Sequence, residues 1–302
     1  MDKFEYSVVI PTRNRPEFLK DLLQTINISA KNLIEIIIVD SSDSLNDEID
    51  TDISKLKYIH TNIRSAAIQR NIGIDKVSTK AKFIFFLDDD VLIEKNYFEK
   101  LINSIHESNS IGASGVAVNL KKSSKREKSE GIIGLYKKFF LLESNTDGKL
   151  LKSAVNIPCR LDSRHQSSLI EVDWLIGCAA WKTSVFTKLR FEESFRGQSL
   201  GEDLLFSNKA KSLGKIIVDK KIIINHRESD IERPNPYDFY KMWVFNRYKI
   251  SKELHLSTLN LAFHWANYGT FIMNIVKIQK NYLINIRILM GMISGYREIL
   301  KG

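Results

Sequence analysis

The chain has 302 residues, 43% hydrophobic and 27% charged, with a formal net charge of +9. That length buries a sizeable core, as one large domain or one domain with an appendage, and the composition is ordinary for a globular protein. Its two cysteines, Cys159 and Cys178, sit in no metal-binding pattern, which excludes a disulfide framework and suits a reducing compartment.

Met1-Asp2-Lys3-Phe4-Glu5 is acidic and runs straight into a strand-like segment, so no secretory signal is expected and the chain is expected in the cytoplasm. Tyr6–Ile10 reads as a buried first strand stopped by Pro11. Thr12–Arg15 is a polar turn, and Pro16 suits the first turn of a helix with Phe18, Leu19, Leu22, Leu23 and Ile26 as its apolar stripe. Ile34–Val39 is a second strand, ending at the acidic turn Asp40-Ser41-Ser42-Asp43-Ser44. Tyr58-Ile59 suggests a short third strand, and Arg64–Ile74 a helix carrying Gln69, Arg70 and Asn71 ahead of Gly73.

Phe83-Ile84-Phe85-Phe86-Leu87 is then followed at once by Asp88-Asp89-Asp90. A short aromatic run of this kind suits a strand buried on both faces. Its carboxylates emerge at the C-terminal end, where open α/β sheets bind ligands. Residues two apart in an extended chain face the same way, so Asp88 and Asp90 can share one site. Like charges that close need a cation or a shared proton between them, which points to Mg²⁺ or Mn²⁺ shared with a phosphorylated substrate. A solvated acidic turn capping a helix from Glu94 is the competing reading.

Strand–helix alternation over residues 6–110 implies right-handed crossovers and a mainly parallel sheet. No Gly-x-Gly-x-x-Gly follows the first strand and no phosphate-binding Gly-x4-Gly-Lys-Ser/Thr occurs, so dinucleotide and P-loop sites are excluded. Ile111–Val118 reads as a further strand and Lys121–Glu130 as a basic loop. Val172–Lys182 is apolar with small residues at Gly177, Ala179 and Ala180, which admit a ligand or another backbone closely. Gly201-Glu202-Asp203 opens a helix through Lys211, and Ile216–Val218 with Lys221–Ile224 suggests a closing hairpin that leads to Asn225-His226-Arg227.

From Pro234 the pattern is helical, aromatic and basic; residues 231–302 hold ten Lys/Arg against four Asp/Glu. Residues 254–276 lack charge, but His255, Asn260, His264, Asn267 and Asn274 interrupt them, so no spanning helix is expected. Interleaved aromatics and cations fit a helix on a membrane surface, on the catalytic domain or on a second subunit, with a slight lean to the membrane. No nucleic-acid-binding pattern accompanies the charge.

Taken in order, these segments resemble the family-2 glycosyltransferases. Val8–Arg15 is similar to that family's opening strand and turn, Ile37–Ser41 to its nucleobase segment, and Gln69–Gly73 to its Ala-Arg-Asn-x-Gly element. Phe86–Asp90 resembles its Asp-x-Asp motif, Gly177–Lys182 its acceptor-side segment, and Gly201–Asp203 its Glu-Asp motif; Phe245-Asn246-Arg247 matches a late Arg-Asn-Arg element except at Phe245.

The resemblance implies an α/β GT-A fold, Rossmann-like, with a mainly parallel mixed sheet flanked by helices and a C-terminal helical extension. Residues 1–230 would be the catalytic domain, split into a nucleotide-sugar-binding half (1–118) and an acceptor half (119–230), with 231–302 as the extension. It implies transfer of a sugar, with inversion, from a nucleoside-diphosphate donor to the hydroxyl of a saccharide or lipid-linked saccharide. By family habit uridine or thymidine donors are favoured over guanosine. Asp203 is the first choice of base and Glu202 its rival. Pro11, Thr12, Arg13, Arg15, Asp40, Arg70, Asp88 and Asp89 would line the donor site, although Asp89, like Asp43, reads as a solvated turn residue. Asp90, Asp88 and His226 would hold Mn²⁺ or Mg²⁺, His226 being equally compatible with a structural role. Arg70 could instead pair with Asp40 or the Asp88–Asp90 cluster, and Arg227 could face the diphosphate or form a surface ion pair. Trp174, Gly177, Cys178 and Trp181 would face the acceptor. Peripheral contact with the inner face of the cell membrane, or a homodimer through the C-terminal helices, completes the expected partners. A haloacid-dehalogenase-type phosphohydrolase fits less well, because Leu92 stands where that pattern has Thr or Val. A sugar-phosphate nucleotidyltransferase would need a Gly-rich loop after the first strand, and a non-catalytic nucleotide-sugar binder would not need the intact Glu202-Asp203 pair.

Overall fold

Strands β1 (Tyr6–Thr12), β2 (Leu33–Asp40) and β4 (Phe83–Phe86) form the centre of a nine-stranded mixed sheet. The structure is a computed structural model and describes residues 4–29, 32–44, 55–119, 131–161, 168–195, 199–227, 234–279 and 281–301. Every side chain of β1 and β4 is buried, as a strand covered on both faces requires. The sheet order is β3-β2-β1-β4-β8-β6-β9-β5, with β7 on the free flank of β9. Here β3 is Leu56–His60, β5 Val91–Ile93, β6 Gly112–Asn119, β7 Leu169–Glu171, β8 Ala179–Lys182 and β9 Ile216–His226. The β3-β2-β1-β4 half is parallel, while β8 runs antiparallel to both β4 and β6. Helices α1 (Pro16–Ser29), α2 (Ala66–Lys76), α3 (Tyr97–Ser108) and α5 (Glu202–Ala210) accompany the strands. The core joins Leu19, Leu22 and Ile26 of α1 to Phe85 of β4 and Phe98 of α3.

Three expectations need correction, and a fourth lies outside the described residues. Pro11 does not stop β1: it pairs with Val39, and β4 pairing ends two residues earlier at Val9, so its missing N–H interrupts no ladder on that side. The closing hairpin is a single strand, β9, that changes register against β6 between Ser114 and Val116. Asp219 shapes this bulge by accepting from the Ser104 hydroxyl at 2.7 Å and the Lys221 N–H at 3.0 Å. Val91–Ile93 is a strand rather than a lead-in to a helix, because it pairs antiparallel with Ile224–His226. The Lys121–Glu130 segment lies outside the described residues.

The chain folds as two compact units. Unit 1 is residues 1–125 with 159–232; unit 2 is residues 126–158 with 233–302. Residues 126–158, assigned by sequence to the acceptor half, thus cluster with the tail. Unit 2 contains α4 (Gly131–Phe139), α6 (Pro236–Glu253), α7 (Leu261–Val276) and α8 (Tyr282–Lys301). Phe140 covers Gly269 of α7 and stacks near Trp265 at 4.7 Å between ring centroids. Buried Arg247 of α6 donates to the carbonyls of Ser153 and Ala154 and to Asn267, with its guanidinium 3.9 Å over the Trp243 ring. These bonds join the inserted segment to the tail. Burial pulls the Arg247 pKa down to about 9. Gly291 and Gly295 let α8 lie against the α6 backbone at Tyr237 and Lys241.

Candidate functional site

The C-terminal ends of β1, β2 and β4 meet the N-termini of α2 and α5 and the end of β9 within unit 1. Arg70 is the hub. It is 3% exposed, and its two terminal nitrogens reach Asp88 Oδ1 at 2.8 Å and Glu202 Oε1. Of the partners open to it from sequence it takes the Asp88 end of the cluster, not Asp40, and it adds Glu202, which sequence reading did not pair with it. Gly177 packs directly against this pair: a Cβ at that position would stand 2.8 Å from Arg70 Nη2 and 3.2 Å from the Asp88 carboxylate. Burial works against the Arg70 cation, but Glu202 and Asp88 hold it more firmly protonated than usual. Burial pushes the Glu202 carboxyl up to about 8 against the pull of Arg70. Glu202 Oε2 and Arg70 Nε are buried and make no hydrogen bond among the described residues. Buried polar atoms of this kind call for a partner, whether water, an ion or a ligand.

Asp203 lies next to this pair but is half-buried, and its carboxylate accepts the Leu204 N–H at 2.7 Å. Burial raises it to about 6. Gly201, with φ of +91°, turns the chain so that both carboxylates open α5. Asp90 sits where β5 joins β9: its carbonyl accepts from the Arg227 N–H at 2.9 Å and its Oδ1 lies 3.2 Å from His226 Nε2. Asp89 is not solvated. It is 3% exposed, accepts from Thr12 Oγ1 at 2.7 Å and Arg15 Nη1 at 3.0 Å, and burial raises it to about 6. Arg15 also reaches Asp90 at 3.6 Å, so Thr12 and Arg15 tie the end of β1 to the acidic turn.

Other expected site residues face elsewhere. Asp40 is fully buried, with one oxygen accepting from Ser42 and the other from the Tyr58 hydroxyl at 2.7 Å. Arg13 braces the Ser41–Asp43 turn through Asp43 at 2.9 Å. Pro11 is buried in β1. Cys178 accepts the Asp88 N–H at 3.3 Å, and burial pushes its thiol well up, which leaves it inert as a nucleophile. Trp174 is buried in the loop ahead of Gly177. Trp181 belongs to the core, packed edge-on to Phe206 at 5.0 Å and against Gly112, because its place in β8 turns it away from Gly177. Arg227 takes the surface alternative, pairing with Asp21 above the Phe18 ring.

Sequence reading gave no role to four residues that hold the edge together. Gln69 donates to the Thr12 and Val39 carbonyls at 2.8 and 2.6 Å, stitching the ends of β1 and β2. Asn71 clamps the Phe191 backbone, and Gly73 lets α2 press on Val9. Ser65, the N-cap of α2, donates to the Phe195 carbonyl at 2.6 Å. The signal for all four was their place in or beside the Arg-Asn-x-Gly segment. Their partners lie far along the chain.

A parallel half-sheet with carboxylates at its C-terminal edge, extended by antiparallel β8, is the GT-A architecture. Residues 7–159 match the family described as Glycosyl transferase family 2, just over half of the chain, and the chain belongs to that family. Over 121 residues it is 36% identical to the poly(ribitol-phosphate) β-N-acetylglucosaminyltransferase TarP of Staphylococcus aureus (strain N315), covering 36% of each chain. Over 109 residues it is 31% identical to an uncharacterized glycosyltransferase of Rickettsia conorii, covering 35% of this chain and 18% of that one. The match therefore spans about a third or less of these relatives. S. aureus TarS 1–349 in complex with UDP-GlcNAc aligns with TM-score 0.53 and 17% identity over 82% of this chain and 66% of that one. GalNAc-T7 with UDP, GalNAc and Mn²⁺ aligns with TM-score 0.58 and 14% identity over 92% and 58%. At these identities the likeness is one of fold. The family assignment removes the phosphohydrolase and nucleotidyltransferase readings.

Proposed function

We propose that this chain is an inverting, metal-dependent glycosyltransferase that moves a sugar from a nucleoside-diphosphate donor to an acceptor hydroxyl, with Asp203 as general base. The observation that carries it is the Asp88–Arg70–Glu202 network beside half-open Asp203, on the edge that also joins Asp90 to His226. Uridine is the favoured nucleobase, since the TarS structure that supports the fold holds UDP-GlcNAc. TarP's name, which gives poly(ribitol-phosphate) as that protein's acceptor, supports a polymeric, hydroxyl-rich acceptor.

In this reading Asp203 accepts the proton of the acceptor hydroxyl as its oxygen attacks the anomeric carbon from the face opposite the diphosphate. The bond to the diphosphate breaks as the new glycosidic bond forms. A carboxyl raised to about 6 is ionised near neutral pH yet is a better proton acceptor than an ordinary aspartate. Glu202 is held by Arg70 and positions that guanidinium rather than acting on the acceptor. Asp88 would contact the donor ribose, and Gly177 lets the Arg70–Asp88 pair sit close to the backbone beside it.

Asp90 and His226 would supply a carboxylate oxygen and an imidazole nitrogen at close range, a mixed donor set that suits Mn²⁺ better than oxygen-preferring Mg²⁺. Among the described residues no third His, Cys, Asp or Glu joins them in one cluster. A magnesium-like ion that keeps waters and substrate phosphates needs few protein ligands. When bound, such an ion neutralises charge on the leaving diphosphate.

Calorimetric titration with UDP, dTDP and GDP, with and without Mn²⁺, on wild type and Asp90→Ala tests the donor site. Metal-dependent binding of one nucleotide, lost in the variant, is expected; no binding of any diphosphate would overturn the reading. Sugar transfer from a donor of that base then separates an enzyme from a non-catalytic binder.

A further inference from the structure

Unit 2 holds 16 Lys/Arg against 7 Asp/Glu, while unit 1 holds 29 of each, so the whole net charge of +9 lies in unit 2. Unit 2 also carries 17 of the 19 large hydrophobic side chains that are exposed among the described residues. The two properties meet on α8. At about 100° per residue, Asn285, Ile288, Gly291, Met292 and Gly295 share one face, and all are buried. The opposite face presents Leu283, Arg287, Met290, Ile293, Arg297 and Leu300, all exposed, with Leu283 at 74% and Leu300 at 86%. Apolar and cationic side chains thus alternate along one open face of a 20-residue helix.

We infer that the outward face of α8 docks unit 2 on an anionic lipid bilayer. A helix of this kind lies in the interface plane, with its apolar residues among the upper acyl chains and its arginines reaching up to lipid phosphates. No helix among the described residues is long and apolar enough to cross a membrane, so contact through α8 is peripheral. Charge selects the occupant. A second copy would bring another +9 and set Arg287 and Arg297 against like charges, whereas an anionic surface neutralises them. The inference is independent of the proposed chemistry of unit 1.

Vesicle flotation of the full chain tests it, using phosphatidylcholine alone and phosphatidylcholine with added phosphatidylglycerol. Wild type is expected to float with the anionic vesicles, to be released as salt is raised, and to stay behind with the neutral ones. Arg287→Glu with Arg297→Glu, and separately Leu283→Ser with Leu300→Ser, should each weaken partition about tenfold or more. Circular dichroism melts and nucleotide titration should be unchanged in both, since these side chains lie on the open face. Wild type that ignores anionic vesicles overturns the inference, as does flotation that survives both pairs of substitutions. A dimer in light scattering that the same substitutions dissociate would also overturn it, making the face a subunit interface.

Discussion

Unit 1 and unit 2 keep their buried cations in opposite ways. In unit 1, Arg70 lies between the carboxyl groups of Asp88 and Glu202. In unit 2, Arg247 is as deeply buried but is held by carbonyls, an amide and an aromatic face, with no carboxylate among the hydrogen bonds and ring contacts described for it. The first arrangement leaves charge organised around an opening, with Glu202 Oε2 still unpaired. The second closes a joint between two distant segments. A buried ion network is poor support for stability alone, since apolar residues could replace it at little cost. Its presence at the sheet edge is better explained by chemistry, and that contrast can be attacked experimentally.

The largest expected effect is on turnover. Asp203→Asn should lower kcat by roughly 10²–10⁴-fold while nucleotide affinity stays within about twofold, measured by steady-state transfer and calorimetry. Its melting point near neutral pH should be no lower than wild type. Because the folded-state pKa is raised to about 6, the stability linked to this carboxyl is fully present below its unfolded value and is lost as pH rises through 6; asparagine avoids that loss. Equal loss from Glu202→Gln, with Asp203→Asn active, would reverse the assignment of base.

Next comes Arg70→Ala, which leaves two carboxylates facing each other without a cation. Removing one member of a buried pair costs about 3–5 kcal/mol, seen in urea unfolding of the full chain. Partial exposure of Asp88 places the result toward the lower end. Gly291→Ala addresses unit 2: its methyl would collide with the Tyr237 carbonyl of α6, a backbone atom that cannot swing away. A cost of about 1–3 kcal/mol is expected, with nucleotide binding intact. If nucleotide binding fell with it, the two units would not be energetically separable.

The smallest effect is the pH profile. The base acts only when deprotonated, so kcat/KM should rise about tenfold per pH unit below 6 and level off above it. A profile flat from pH 5 to 8 would count against Asp203, whose change lies in that window.

How much of this could be read in the sequence follows from the range of each interaction. β1, β2 and β4 were legible because their apolar runs are local and longer than a turn. The carboxylates at the end of β4 were legible for the same reason. β5 was not, since Val91–Ile93 becomes a strand only by pairing with Ile224–His226. The burial of Asp89 was hidden too: a carboxylate in a polar turn looks solvated until Thr12 and Arg15 arrive from other elements. Trp181 was misjudged because a single residue step in β8 decides between site and core. Residues 126–158 were assigned to the acceptor half because the partners of Phe140, Ser153 and Ala154 lie far off in the tail, where a local reading does not reach.

That last feature bears on how the protein is made. Because unit 2 is assembled from an insertion and the tail, a ribosome must finish the strands of unit 1 after α4 has already emerged and before α7 exists. For that interval Phe140 has no Gly269 to cover and the Ser153 and Ala154 carbonyls have no Arg247. The nascent chain therefore carries an apolar segment in waiting through much of its synthesis, a natural client for a chaperone. No single cut can remove unit 2 cleanly, since truncation at residue 232 would make that transient exposure permanent.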